Sequence, residues 1–344
     1  MTEIIRLSRQ QSWPDGAPIP RSRVAFLVET AARAPSVHNT QPWSFRVNGN
    51  AVELLADGTR KLSTLDPAGR EMLISCGGAL FGFRLAVRSL GYVPAVSLLP
   101  DPGQEDLLAR VYLGAKVPIT ARERRMLTAV PHRHTHRGPF SPGPLTAGLL
   151  TRLQHDAVAE GAELVLIDRP AAYQRLSALV AAAGRSQRGS AGIRAEVRWW
   201  TRPPGSDARD GVPVSAFPPV TSGLRTKMAP GRLALRDFDL GRGIGVAATG
   251  GAPPAATAVL TTPADTPMSW LNAGQALQRV LVHAASSWVF ASLTSEPLES
   301  RTIRAMLGRG LGLVGSPQMV LQLGRAHTTE VTARRPVGEV LSDR

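Results

Sequence analysis

The stretch "CGGALFGFRLAVRSLGYVPAVSLLP", residues 76–100, carries the pattern on which the fold turns. Its apolar residues recur at helical spacing up to Gly91, which ends the helix, and a β-like run follows. A second stretch, "NAGQALQRVLVHAASSWVFASLTS", residues 272–295, is built the same way. With Gly77 laid on Gly274, Ala79 meets Ala276, Leu80 meets Leu277 and Leu85 meets Val282. The identity is weak but the pattern agrees, so the chain reads as two degenerate tandem repeats.

Outward from these two stretches, "FRVNGNAVELLAD" (45–57) predicts a hairpin turning at Asn48, Gly49 and Asn50. "LTAGLLTRLQHDAVAEGAELVLID" (145–168) predicts a helix then a strand, and "SPQMVLQLG" (316–324) a late buried strand. Helices and strands mix without a strict βαβ rhythm, which favours an α+β fold. The proline-rich turn after "KVPITARERRMLTAV" divides the halves at residues 1–130 and 131–344. Residues 203–254, heavy in Gly and Pro, exceed an ordinary connection. Because they keep the apolar anchors Phe217, Leu233 and Phe238, they predict a lid instead of a disordered insert.

Composition narrows the function classes. The 344 residues are 43% hydrophobic and 19% charged, as a globular chain with a sizeable core requires. The formal net charge of +14 raises nucleic acid as a partner. Its cations are nearly all Arg, spread along the chain, with Lys61, Lys116 and Lys227 as lysines, and no nucleic-acid motif accompanies them. No apolar run suggests a membrane span, the first residues lack a signal-peptide pattern, and the one cysteine, Cys76, leaves no disulfide. The expectation is a cytoplasmic protein with Cys76 as a buried structural thiol.

Three motifs carry the chemistry. "ARAPSVHNTQPW" (32–43) must end a helix before Pro35 and continue as a loop crowded with hydrogen-bonding groups. Within it Trp43 and Gln41 read as structural, packing and fixing the loop, and Ser36 and Asn39 as capping or turn residues. "PHRHTHRGPF" (131–140) alternates His132, His134 and His136 with Arg133, Thr135 and Arg137. The histidines suit a metal, but two guanidiniums flanking a hydroxyl suit a phosphate dianion better. "GIGVAA" (243–248) and "GLGLVG" (310–315) match a dinucleotide fingerprint in letters alone. The first runs into "TGGAPPAA" and the second into a strand, where a helix is needed.

Taken in order, "APSVHNTQPWSF", "LDPAGREMLISCGGAL", "RHTHRGPF", "AGQALQRVLVHA" and "GSPQMVLQLG" resemble the nitroreductase-like FMN-binding proteins of the Acg type across nearly the whole chain. That resemblance implies a nitroreductase-like fold in which one chain mimics a nitroreductase homodimer. It also implies one FMN per chain, held by the loop of the first half and the phosphate motif of the second. Pro35, Ser36, Val37 and Asn39 are then expected at the flavin, and Arg133, His134, Thr135 and Arg137 at its phosphate. Arg334 or Arg335, in "TARRPVGEVL", would add a cation there, and Thr294 and Ser295, in "SLTSEPLE", match where the family presents backbone amides to the flavin ring. The activity implied is NAD(P)H-dependent reduction of a small organic acceptor in a ping-pong cycle with no required side-chain acid. A lid that keeps nicotinamide out would instead make the chain a flavin store, and an oxidative role is a third reading. The partners expected are small molecules, with neither nucleic acid nor membrane, and a monomer acting as a fused pseudo-dimer.

Overall fold

The computed structural model describes residues 19–217, 231–240, 242, 252–326 and 332–343. The N-terminal segment inspected for a signal peptide, the "GIGVAA" motif and part of the expected lid lie outside these residues.

Helix α1, Arg21–Ala32, stops at Arg33, two residues before Pro35, where the proline ring excludes helical backbone. The hairpin forms as expected: β1, Trp43–Asn48, pairs antiparallel with β2, Ala51–Ala56, around Gly49 at φ +59°. Helix α2, Arg70–Ser89, leads through Gly91 at φ +84° into β3, Tyr92–Leu98, followed by β4, Leu107–Lys116. A capping box of Thr120 and Glu123 opens α3, Ala121–Ala129. Then come α4, Ala147–Val158, β5, Glu163–Leu166, α5, Pro170–Gly189, and α6, Ala191–Trp199. The short β6, Thr201–Arg202, and β7, Val212–Pro213, pair with each other. The chain continues with β8, Ala256–Thr262, α7, Pro267–Ala285, β9, Val289–Thr294, α8, Arg301–Leu311, and β10, Ser316–Arg325. It ends on β11, Leu341–Asp343.

Besides the β6–β7 pair, two larger sheets form among the described residues, ordered β11-β1-β2-β4-β3 and β5-β8-β10-β9. Helices α1 and α2 pack on the first and share its core with Trp43, Phe45 and Phe83. Helices α4 and α7 pack on the second around Leu153, Leu164 and Leu321. The last strand, β11, lies parallel to β1, so the C-terminus returns to the sheet of the first half.

Helices α2 and α7 join the two layers, and their crossing demands glycine. A Cβ on Gly77 would stand 2.2 Å from the Leu271 carbonyl oxygen, and one on Gly274 would stand 2.0 Å from that of Ile74. These two glycines face each other across the crossing. Helix α2 also corrects one expectation: Arg70–Ser89 is long and apolar enough to cross a membrane. Its most apolar window is 72% buried inside the fold, where it serves as a core helix against α7.

Candidate functional site

A pocket enclosing about 810 Å3 of space between atoms, its open mouth included, sits where the halves meet. One wall is the loop of residues 35–38, and α2 adds Glu71, Ile74 and Ser75 from its first turns. Thr135 and Arg137 enter from the His/Arg motif, Leu277 from α7, Ser292 and Leu293 from the end of β9, and Ser295 and Glu296 from the helical turn that follows it. Phe217, Leu235, Arg236 and Phe238 cover it from the predicted lid segment. The three apolar anchors read there are buried, Phe217 and Phe238 against the pocket and Leu233 against Val259 and Val320.

The loop is held in a conformation that side chains rarely adopt: φ is +47° at His38, +55° at Asn39 and +51° at Gln41. Hydrogen bonds, most of them part-buried, maintain it. The Gln41 amide donates 2.9 Å to Ser36 Oγ, and its side chain donates 2.7 Å to the Arg209 carbonyl while accepting from the Arg335 amide at 2.8 Å. Asn39 Nδ2 donates to the Gly211 and Ala333 carbonyls and its Oδ1 accepts from Arg334. The strained loop is thus tied to the covering segment and to the C-terminal tail. Trp43 is fully buried in the first core, and Cys76, its Sγ–H 3.2 Å from the Pro42 carbonyl, is buried with its thiol pKa pushed up by desolvation.

Beside the pocket, guanidiniums converge without a counter-ion. Arg133 is buried and donates from Nε to the Arg33 carbonyl at 3.2 Å, leaving Nη1 with no partner. Removal from water, with Arg137 and Arg33 nearby, lowers its pKa to about 10, and desolvation takes Arg137 to about 10 as well. Arg334 is pushed well below its ordinary value by burial and by Arg133, Arg33 and Arg137. No carboxylate pairs with Arg133, Arg137 or Arg334 among the described residues. Elsewhere buried charge is neutralised: Asp156 meets His283, Arg279 and Arg122. A cationic cluster without that compensation fits an anion with several acceptor oxygens.

Of the residues read from sequence, Pro35, Ser36, Val37, Thr135, Arg137 and Ser295 line the pocket. Asn39 and Arg334 stand behind it, joined to each other at 3.1 Å. The two C-terminal arginines separate here: Arg334 joins the cationic cluster, while Arg335 pairs with Glu339 and Asp57. His134 packs on Phe290 at 4.4 Å, its Nδ1 3.0 Å from the His132 carbonyl, and burial lowers its pKa to about 4. Thr294 is buried in β9 and does not line the pocket. The alternation of the motif does not survive: Thr135 bridges to Ala291, and Arg133, His134 and His136 are all buried. No group of His, Cys, Asp or Glu among the described residues is arranged to hold a metal.

Sequence reasoning passed over Glu71, Ser75, Arg236 and Glu296. Glu71 and Ser75 stand within the quoted "LDPAGREMLISCGGAL", where a period of 3.6 marks a helix but does not say which polar position faces a cavity. Burial, with Glu299 next, raises the Glu71 pKa to about 8, and burial raises Glu296 to about 7.

A strained, buried loop, a pocket that this loop, α2, α7 and the second sheet line together, and an uncompensated arginine cluster mark an α+β protein with a site suited to an anionic ligand. Its relatives give the family. The chain is 32% identical over 327 residues, 92% of itself and 90% of the relative, to the Mycobacterium tuberculosis protein named "Putative NAD(P)H nitroreductase Rv3131". It is 27% identical, over 92% of itself and 94% of the relative, to the one named "Putative NAD(P)H nitroreductase acg". The chain belongs to this Acg-type, nitroreductase-like family. No family model matches it. Among solved structures, a nitroreductase with bound FMN from Desulfitobacterium hafniense aligns at 12% identity and a TM-score of 0.39, covering 63% of this chain and 97% of that one.

Proposed function

We propose that the chain binds one FMN between its two halves and reduces a small organic acceptor with electrons from NAD(P)H. The observation that carries this reading is the cluster of Arg133, Arg137 and Arg334, with an orphaned Nη1 on Arg133, at the edge of a pocket with an apolar middle. A phosphate monoester supplies the missing counter-charge, and Pro35, Val37, Ile74, Leu277 and Met319 offer a flat apolar ring the contacts it needs. FMN, when bound, supplies the two-electron chemistry. The protein holds and orients it, and the covering segment closes over part of the pocket.

Names of relatives support the nicotinamide donor, and the facing glycines of α2 and α7 support the pseudo-dimer reading. A second reading, flavin storage without turnover, rests on how the covering segment is fastened. Arg236 forms a buried ion pair with Glu299 and donates to Gln187 Oε1 at 3.0 Å and to Ser295 Oγ at 3.3 Å. Such a latch opposes entry of a large cosubstrate.

The test is the visible spectrum of the purified protein, before and after anaerobic NADPH, with the released cofactor identified by chromatography. FMN that bleaches supports the reductase, and FMN that stays oxidised supports storage. A colourless protein that takes up no added FMN overturns both.

A further inference from the structure

Three successive residues of the strained loop meet three successive residues of the covering segment in reverse order. Gln41 Nε2 donates to the Arg209 carbonyl at 2.7 Å. Arg60 Nη1 ties the Thr40 carbonyl, at 2.8 Å, to the Asp210 carboxylate, at 2.9 Å. Asn39 Nδ2 donates to the Gly211 carbonyl at 2.9 Å, and the Gly211 amide donates back to the Asn39 carbonyl at 3.2 Å. Gly211 takes φ +73°, and a Cβ there would stand 2.9 Å from the Trp200 carbonyl oxygen, so glycine lets the strip lie this close.

The same side chains hold the C-terminal tail. Asn39 Oδ1 accepts from Arg334 Nη1 at 3.1 Å, and Gln41 Oε1 accepts from the Arg335 amide at 2.8 Å. Both carboxamides thus turn a donor to the covering segment and their acceptor to the tail. Arg334 is also one of the cations that a phosphate would neutralise, with Arg133, Arg33 and Arg137 nearby. Since φ is positive at Asn39 and Gln41, the loop keeps this form only while its neighbours over-determine it. Tail contacts that fix the two carboxamides therefore aim their donors at the covering segment, and linkage makes the effect reciprocal.

We propose that Asn39 and Gln41 couple the phosphate site to the covering segment: an anion held by Arg133, Arg137 and Arg334 tightens the tail, the tail sets the two carboxamides, and these fasten residues 209–211. The proposal rests on the phosphate site of the function reading and adds how its occupancy is transmitted. Residues 209–211 lead through Val212 to Phe217 on the pocket, so a flavin that brings a phosphate closes its own cover. Asn39 and Gln41 act here as positioning residues. Arg137 also meets the cover directly, its guanidinium 5.4 Å from the Phe217 ring, so residues 209–211 are the part that reports the carboxamide route.

The experiment is hydrogen exchange, read by mass spectrometry on the full chain freed of flavin, with inorganic phosphate as the probe against chloride at equal ionic strength. Saturating phosphate should slow exchange at both 332–335 and 209–211 by about fivefold or more, the lower end of coupling between sites. In the double variant Asn39→Gly with Gln41→Met, where glycine keeps the positive φ and methionine the length, phosphate should still slow 332–335 and leave 209–211 within about twofold. Reciprocity supplies a second readout that does not need that variant to fold. Asp210→Asn removes a negative charge, which by Coulomb attraction alone leaves phosphate affinity equal or higher. Because it frees the covering segment from Arg60, coupling instead predicts phosphate affinity lower by about fivefold. Phosphate that slows 332–335 but not 209–211 in the wild type overturns the proposal. So does slowing of 209–211 that persists in the double variant, or an Asp210→Asn affinity equal to or above wild type. Phosphate that changes exchange neither around Arg133 and Arg137 nor at 332–335 overturns the phosphate site, and the function reading with it.

Discussion

At the residue scale, the decisive feature is charge without a partner. Each charge-assisted hydrogen bond from a guanidinium to a phosphate contributes about 1.5–3 kcal/mol. Arg133→Ala with Arg137→Ala should therefore lower FMN affinity by about 10²–10⁴-fold, measured by fluorescence titration, with the circular dichroism of the fold unchanged. Arg334→Ala should weaken FMN as well, since its Nε and Nη2 also hold the Ala32 and Ala34 carbonyls beside Pro35. Arg335→Ala, which removes contacts to Glu339 and Asp57, should leave the affinity within about threefold, the scale of a half-exposed ion pair. Inorganic phosphate should stabilise the flavin-free wild type, by about 2.7 kcal/mol at a hundred times its Kd, and should not stabilise the double variant.

At the scale of elements, the α2–α7 crossing and the covering segment matter most. Gly274→Ala would force a methyl against the Ile74 carbonyl, which is backbone and cannot step aside. Overpacking of this kind costs about 1–3 kcal/mol or more, read as a shift of the urea midpoint. The covering segment is fastened by an ion pair that is dangerous to break on one side only, because the surviving buried charge costs about 3–5 kcal/mol. Arg236→Met combined with Glu299→Gln removes both charges. That pair should keep the fold and raise the rate of FMN release, measured by dilution into a flavin scavenger. Helices and hairpins are legible in the sequence, since Gly91, Pro35 and the turn at Gly49 act over a few residues. The pairing of β11 with β1 is not, because it joins positions about 300 residues apart and no local pattern reports a partner.

For the whole molecule, burial of acids between the halves sets a pH dependence. Glu71 and Glu296, with folded pKa values near 8 and 7 against about 4.3 unfolded, bind extra protons in the folded chain. Their contribution to stability is fully present below about pH 4 and is lost as pH rises through 7–8. His38 acts oppositely on the acid side: burial, with Arg236 and Arg137, keeps it neutral, so stability falls as pH drops below about 6.5. Flavin-free wild type should lose more stability between pH 6 and pH 9 than Glu71→Gln does, measured by urea denaturation.

Local spacing by itself determined the helices and strands and the proline-ended loop, and the resemblance of the quoted motifs marked the family. It left Arg334 and Arg335 equivalent and gave Glu71 and Arg236 no distinction, since adjacent arginines and lone polar positions on a helix look alike without a third dimension. Tertiary structure decided these because burial and the convergence of distant segments, not residue type, determine which charge lacks a partner.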